Sequence, residues 1–319
     1  MKGRCSLMGV VNLAKNSLID PLVRKAQMIN WYSTLEVLFK MTEYTKNREV
    51  SFLMSKAETS NKFFMNTRYL CVHCVRDFNY LLQMGLKVLT EPRLYNLYYS
   101  VLEFKDKFPF WKLGVERKVK VKNWVEKKML NYIRGYDLFF DIDADKNTFE
   151  SAKLTVTRLM EVLNNYGVVY EIRNSGKGFH IICPNQQFQD LDLNYNEDYE
   201  DKKNVANIFY NIARNLNQEV SCLIDVAVYD LRRVTKIPYS LVLYSDETRV
   251  CFPFNSLSEF ERFKYSDGTL DGFRKFITDG EVGSWQTLLR NRETFIFNKD
   301  VKKTYIREFI EDYGEFKTI

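Results

Sequence analysis

YDLFFDIDAD, residues 136–145, is the stretch on which the reading of the whole chain turns. Leu138, Phe139, Phe140 and Ile142 make it a strand entering a core, yet it also carries Asp137, Asp141, Asp143 and Asp145. Side chains two residues apart on a strand share a face, about 6.5–7 Å apart along the chain. Asp141 and Asp143 therefore project together, while Phe140, Ile142 and Ala144 point the other way. Two carboxylates held side by side repel, and one is driven towards protonation. A divalent cation removes that conflict, because Mg²⁺ takes hard oxygen ligands, typically one or two carboxylates with water and substrate phosphates. Asp145 shares the face but lies near the strand end, where capping of a helix over 148–165 is its expected task.

Downstream, the pattern gives strand 167–173, a tight Gly turn and strand 178–183. EIRNSGKGFHIIC (171–183) gathers Ser175, Gly176, Lys177 and His180 at that turn. Exposed backbone N–H groups with a hydroxyl, an ammonium and an imidazole suit a phosphate chain; the plain counterpart is a hairpin turn with a buried His. An acidic surface loop (189–203), helix 204–216 and strand 221–229 follow. LIDVAVYDLRRVTKIPYSLV (223–242) sets Asp225 between Ile224 and Val226, where a carboxylate is costly to bury unless paired or bound to metal. Arg232, Arg233, Lys236 and Pro238-Tyr239-Ser240 come next. PYSLVLY and TRVCFPF then read as a hairpin around SDE.

Upstream, residues 20–47 read as helix, with Asp20-Pro21 as N-cap and first-turn proline, and Leu22, Ile29, Leu35, Val37 and Leu38 as a buried stripe. Strands over 48–54 and 62–70 flank the polar SKAETSN, helical periodicity over 71–85 stops at Gly85, and 93–104 reads as strand. ERKVKVKNWVEKK (116–128) alternates Lys with Val and carries Trp124, which suits either a solvated face or a strip that tracks phosphates. The last sixty residues read mainly as helix. Strands and helices without strict β-α-β alternation argue for an α+β fold. The expected organisation is a single domain over 1–319: an N-terminal helical part (1–45), a catalytic core (46–255) and a mainly helical C-terminal part (256–319).

Composition bounds the function loosely. With 47 basic and 41 acidic residues the net charge is +6, compatible with a polyanionic partner without requiring one. Six cysteines scattered over 319 residues make no disulfide framework and fit a reducing compartment, cytoplasmic or, in a eukaryote, nuclear. CVHC (71–74) lacks the second ligand pair that tetrahedral zinc needs, so no zinc is expected; Cys71 and Cys74 read instead as core residues one helical turn apart, with His73 on the flank. No apolar run reaches a membrane span, and the N-terminal stretch lacks a signal-peptide pattern.

FFDIDAD, SGKGFHI and IDVAVYDLRRVTKIPYS, in this order, resemble the three motifs of the archaeo-eukaryotic primase superfamily: its D-x-D, its S-x-G-x-H-type turn, and its later Asp strand followed by a basic residue and P-[YF]-S. The resemblance runs over about residues 45–255 and is nearest to primase catalytic small subunits or related plasmid and viral primase-polymerases. It implies an RRM-like antiparallel sheet beside a second small sheet, surrounded by helices. It further implies DNA-templated primer synthesis or extension, with Asp141, Asp143 and Asp225 as ligands of two Mg²⁺ or Mn²⁺ ions. Ser175, Gly176, Lys177, His180, Lys236, Ser240 and, further upstream, Arg68 would bind the nucleotide; Arg48 and Glu49 match positions near the site. Single-stranded DNA template and NTP or dNTP are the implied partners, with a primase large subunit or other replication protein as a further one and no membrane. The template would follow a basic groove to which 117–128 and 232–233 contribute. Three departures stand out: the Ser-to-His turn is one residue short of the cellular form, Val242 stands where the family often has His, and the family's zinc knuckle is absent. Two other classes compete: an inactive relative that only binds single-stranded nucleic acid, and a metal-dependent nuclease.

Overall fold

The computed structural model describes residues 19–56, 62–64, 70–71, 74–78, 93–105, 132–195, 201–219, 223–231, 233–244, 246–300 and 305–315. Its strands are β1 (Glu49–Lys56), β2 (Lys62–Phe64), β3 (Leu70–Cys71), β4 (Arg93–Ser100), β5 (Leu102–Phe104), β6 (Ile133–Tyr136) and β7 (Leu138–Ile142), then β8 (Glu171–Asn174), β9 (Phe179–Cys183), β10 (Val234–Lys236), β11 (Leu241–Leu243), β12 (Thr248–Val250) and β13 (Phe252–Pro253). Two antiparallel sheets carry the architecture. One has the order β10-β4-β1-β2, with β3 also on β1; the other has the order β13-β8-β9-β7. Helices before, between and after the sheets make the fold α+β, as the sequence predicts.

In the second sheet β9 lies between β7 and β8, and the helix Phe149–Asn165 connects those two outer partners. This is a split β-α-β unit, with β13 added beyond β8. Register explains its two faces. Phe140, Ile181 and Ile172 line up on one face, as do Ile142, Phe179 and Asn174. The helix buries Phe149, Ala152, Val156, Leu159 and Leu163 at helical spacing, and its Phe149 ring lies 5.2 Å from that of Phe179. Gly167, at φ 61°, follows the end of the helix in the left-handed conformation that glycine adopts without steric cost.

The opposite face is polar. Asp141, His180 and Arg173 align across β7, β9 and β8, with Phe139, Ile182 and Glu171 in the next row. This face meets the first sheet. Arg173 Nη1 donates to the Tyr99 hydroxyl (2.6 Å), and His180 Nδ1 lies 3.1 Å from Thr235 Oγ1. Arg173 also pairs with Glu171 and lies over the Tyr44 ring, 4.9 Å from its centroid. Arg48 joins the layer, 2.7 Å from Asp137 and 3.6 Å from Glu103. Arg48, Tyr99, Glu103, Asp137, Glu171 and Arg173 line a cavity of about 340 Å³ between the sheets.

The helical parts pack on one another at the sheet ends. Trp31, fully buried, stacks on Trp285 (5.3 Å), and its Nε1 donates to the Tyr239 carbonyl (2.9 Å). Arg290 of the C-terminal part pairs with Glu36 of the N-terminal one. No helix among the described residues is long and apolar enough to cross a membrane.

Several local expectations are corrected. The helix over 20–47 is two helices, Pro21–Tyr32 and Leu35–Thr45, parted at Ser33-Thr34. Asp20 caps the first, accepting from Leu22 N at 2.7 Å. Leu22, Ile29 and Leu35 are exposed; the buried stripe is Met28, Trp31, Tyr32, Val37, Leu38 and Met41. The break resets the helical phase, so one periodicity cannot run through both helices. Cys71 lies in a strand and Cys74 is exposed, so they do not share a core-facing helical turn; 75–78 are helical, and 72–73 and 79–85 of the expected helix lie outside the described residues. Strand 136–145 is interrupted at Asp137 and ends at Ile142, and the strand expected from 167 begins at Glu171. Of the expected strand 221–229, the described residues 223–229 hold a single bridge at Ile224 followed by a 3₁₀ turn, Val226–Val228. The basic strip 116–128, His73, Arg68 and Arg232 lie outside the described residues.

Candidate active site

The site forms where β7 ends. Ile142 bridges Ile224, and the Asp225 N–H donates to the Asp141 carbonyl at 2.8 Å. That short antiparallel contact brings Asp225 from a distant part of the chain to the pair Asp141 and Asp143. Asp141 is held on the sheet, largely buried; Asp143 lies one residue past the strand and is exposed; Asp225 is half-buried. The Asp225 side chain accepts from Ala227 N (2.8 Å), opening the 3₁₀ turn. It is therefore not the fully buried strand carboxylate that its apolar neighbours suggest.

The electrostatics separate the carboxylates. Burial works to raise Asp141, but His180, Lys236 and Arg233 outweigh it and hold the group below its ordinary range. His180 Nε2 is 3.4 Å and Arg233 Nη2 is 3.6 Å from the Asp141 oxygens. Asp143 goes the other way: its residue is exposed but its carboxylate is partly desolvated, and this, then Asp141 and also Asp225, push it up. Burial brings His180 down to about 4 despite Asp141, so its imidazole is neutral at pH 7. A proton on Nε2 then donates to Asp141 while Nδ1 accepts from Thr235, which fixes the ring between the sheets.

Beside Asp143 opens a cavity of about 350 Å³, lined by Asp143, Asp145, Thr148, Ser175, Lys177, Lys236 and Tyr244 among others. Three of the residues expected to bind nucleotide, Ser175, Lys177 and Lys236, thus share one space with one of the three expected metal ligands, Asp143. Burial disfavours the Lys236 ammonium, yet the oxygens of Tyr244, Tyr98 and Asp141 around it outweigh that and raise its pKa. Asp145 does not serve as the helix N-cap. Its Oδ1 accepts from Asn147 N (2.7 Å) and Thr148 N (2.9 Å), fixing the turn ahead of the helix.

The glycine turn is built for close approach. Gly176 has φ 112°, a conformation strained for other residues. A Cβ on Gly178 would lie 2.0 Å from the Ile142 carbonyl oxygen. The turn therefore packs directly on the strand end that carries the carboxylates. Gly178→Ala should destabilise the fold by about 1–3 kcal/mol, read as a lower denaturant midpoint. An unchanged midpoint would show that the turn and the strand end do not support one another.

The remaining candidates fall elsewhere. His180 is 2% exposed and does not line the cavity; its partners are Asp141 and Thr235. Ser240 is also buried outside the cavity lining, and its Oγ has no hydrogen-bond partner among the described residues. Arg48 serves the inter-sheet layer instead of this cavity. Sequence reasoning missed Thr235, Tyr244 and the role of Arg233 beside Asp141. Strand alternation in VTK (234–236) sends Thr235 and Lys236 to opposite faces, and was the available signal for the first.

No protein-family model matches the sequence, and no curated protein matches it. Among solved structures, the fold is similar to the polymerase domain of Mycobacterium tuberculosis ligase D in complex with DNA, at 14% identity and a TM-score of 0.49, covering 84% of this chain and 93% of that one. It is similar to primase RepB′ at 9% identity and a TM-score of 0.35, covering 75% of this chain and 59% of that one. The catalytic domain of primase RepB′ in complex with initiator DNA gives 10% identity, a TM-score of 0.32, and coverages of 64% and 76%.

Proposed function

We propose that this chain is a nucleotidyltransferase of the primase type, which makes or extends RNA or DNA primers on a single-stranded DNA template. The observation that carries the reading is the meeting of Asp141, Asp143 and Asp225 at the end of β7, beside a cavity lined by Ser175, Lys177 and Lys236.

Mg²⁺ or Mn²⁺ fits this donor set. Asp143 is a carboxylate pushed up by burial and by its two acidic neighbours, the condition that a cation relieves. Among the described residues no three His, Cys, Asp or Glu groups form a ready-made cage. Mg²⁺ does not require one, because substrate phosphates and water complete its shell. Asp141, Asp143 and Asp225 would hold such ions. When bound, they lower the pKa of an attacking 3′-hydroxyl and neutralise the leaving pyrophosphate.

The protein's own residues supply position and charge. His180 and Thr235 hold the Asp141 carboxylate in one orientation. Lys236 and Lys177 would neutralise the triphosphate, with Ser175 donating at the turn, so that catalysis is chiefly positioning and electrostatics. The template would pass the same edge, and its affinity would fall as salt rises.

One observation favours the binding-only reading: Asp141 already has His180 and Arg233 as partners, and Asp225 is turned onto Ala227 N. A single assay separates the readings. End-labelled primer annealed to a DNA template, and template alone, are incubated with Mn²⁺ or Mg²⁺, with and without NTPs or dNTPs. Lengthening that needs both nucleotide and metal is the expected result. Binding without lengthening points to the accessory reading, and metal-dependent shortening to a nuclease; either outcome removes the proposal.

A further inference from the structure

The lysine of the glycine turn has a partner that the phosphate-binding reading does not use. Lys177 Nζ lies 3.3 Å from Glu247 Oε1 and 4.2 Å from the centroid of the Tyr244 ring, at the wall of the cavity. Glu247 comes from the connection between β11 and β12 and is itself tethered. Its Oε2 accepts from Arg249 Nη1 (2.9 Å), a fully buried guanidinium, and its Oε1 accepts from the Tyr265 hydroxyl (3.2 Å). Arg249 is fixed in turn by the Gly176 and Tyr265 carbonyls. The carboxylate is thus anchored from behind, while the lysine, 27% exposed on a flexible stem, can move. Asp145 also lines the cavity, but its Oδ1 is taken up by Asn147, Thr148 and the Thr148 hydroxyl.

We propose that Glu247 is a positioning residue that exchanges Lys177 with the phosphate chain of the ligand. It holds the ammonium in the empty site, yields it to an incoming nucleoside triphosphate, and takes it back as pyrophosphate leaves. The inference rests on the triphosphate reading of the cavity. A phosphate oxygen carries enough charge to compete for the ammonium, and an uncharged nucleoside does not. Glu247 therefore weakens binding of triphosphate and of pyrophosphate together, and keeps the product from occupying the site.

Glu247→Gln keeps the side-chain shape and an oxygen for Arg249 or Tyr265 but gives up the charge. In the full chain, the Kd of a nucleoside triphosphate and the Ki of inorganic pyrophosphate should each fall about three- to fivefold, the range of a partly exposed ion pair. The change should appear in KM more than in kcat, and nucleoside affinity should not move. In a Lys177→Met background the substitution should have no effect on either ligand. Ligand-free acetylation of Lys177, mapped by mass spectrometry, should rise in Glu247→Gln, and this tests the ion pair by itself. A Glu247→Gln variant with altered melting but unchanged triphosphate and pyrophosphate affinity overturns the proposal, as does an undiminished effect in the Lys177→Met background. If acetylation rises but the wild type binds no triphosphate, the ion pair stands, the triphosphate reading fails, and the exchange falls with it.

Discussion

Asp143→Asn should lower nucleotide addition by more than about a hundredfold while leaving the protein at least as stable as the wild type. The two effects have one cause. Burial, Asp141 and Asp225 raise the Asp143 pKa in the folded state, so its ionised form is disfavoured there. A group with a raised folded pKa stabilises the fold only at low pH; that contribution is lost as pH rises through the folded value, so at pH 7 the ionised side chain is a liability. Asparagine removes it. A residue that costs stability and is kept for activity has the signature of a functional site. Asp141→Asn should give the same loss of activity with a lower melting midpoint, because Asp141 is paired to His180 and Arg233. Added Mn²⁺ should raise the midpoint of the wild type and not that of either variant. Primer extension at wild-type rates in both variants would end the carboxylate mechanism.

Arg173→Met should have the largest effect on stability, about 3–5 kcal/mol by denaturant unfolding. Arg173 and Glu171 are 2% and 5% exposed, and each is the other's ionic partner. Removing the guanidinium strands a carboxylate that burial already drives upward, and leaves the Tyr99 hydroxyl without its donor. Losing one member of a buried pair costs more than losing both, since the survivor keeps its desolvation cost. The double variant Glu171→Leu with Arg173→Met should therefore recover most of the loss. A single-variant loss below about 1 kcal/mol, the range of an exposed pair, would show that this layer does not hold the sheets together.

The inter-sheet layer also explains why the polar face of the second sheet can be buried. Asp141, His180 and Arg173 would be costly beneath another sheet unless each found a partner there or beside it. His180 reaches Thr235 of β10 and Arg173 reaches Tyr99 of β4, so the layer that orients Asp141 also joins the sheets. The site is therefore rigid on its buried side and open on the side of Asp143 and Lys177.

Local pattern determined much of this protein. The aspartates among the phenylalanines of 137–143, the turn at 175–178, the helix between them in the chain and the α+β class are set by residue type and short-range periodicity, and these survive folding because alternation and helical spacing dictate faces directly. Apolar spacing carried across two elements fails: Leu22 and Leu35 are exposed, and the buried positions follow each helix's own phase on either side of the break at Ser33-Thr34. The apolar run around Asp225 read as strand because its cap, a carboxylate on Ala227 N, is a turn signal that Ile and Val obscure. Tertiary structure alone decided how Asp225 reaches Asp141, through its N–H on the Asp141 carbonyl, that His180 serves Asp141 and Thr235, and that Glu247 holds Lys177. Each of those contacts joins residues far apart in sequence, and charge or hydrogen-bonding capacity names no partner until the backbone brings two groups within a few ångströms.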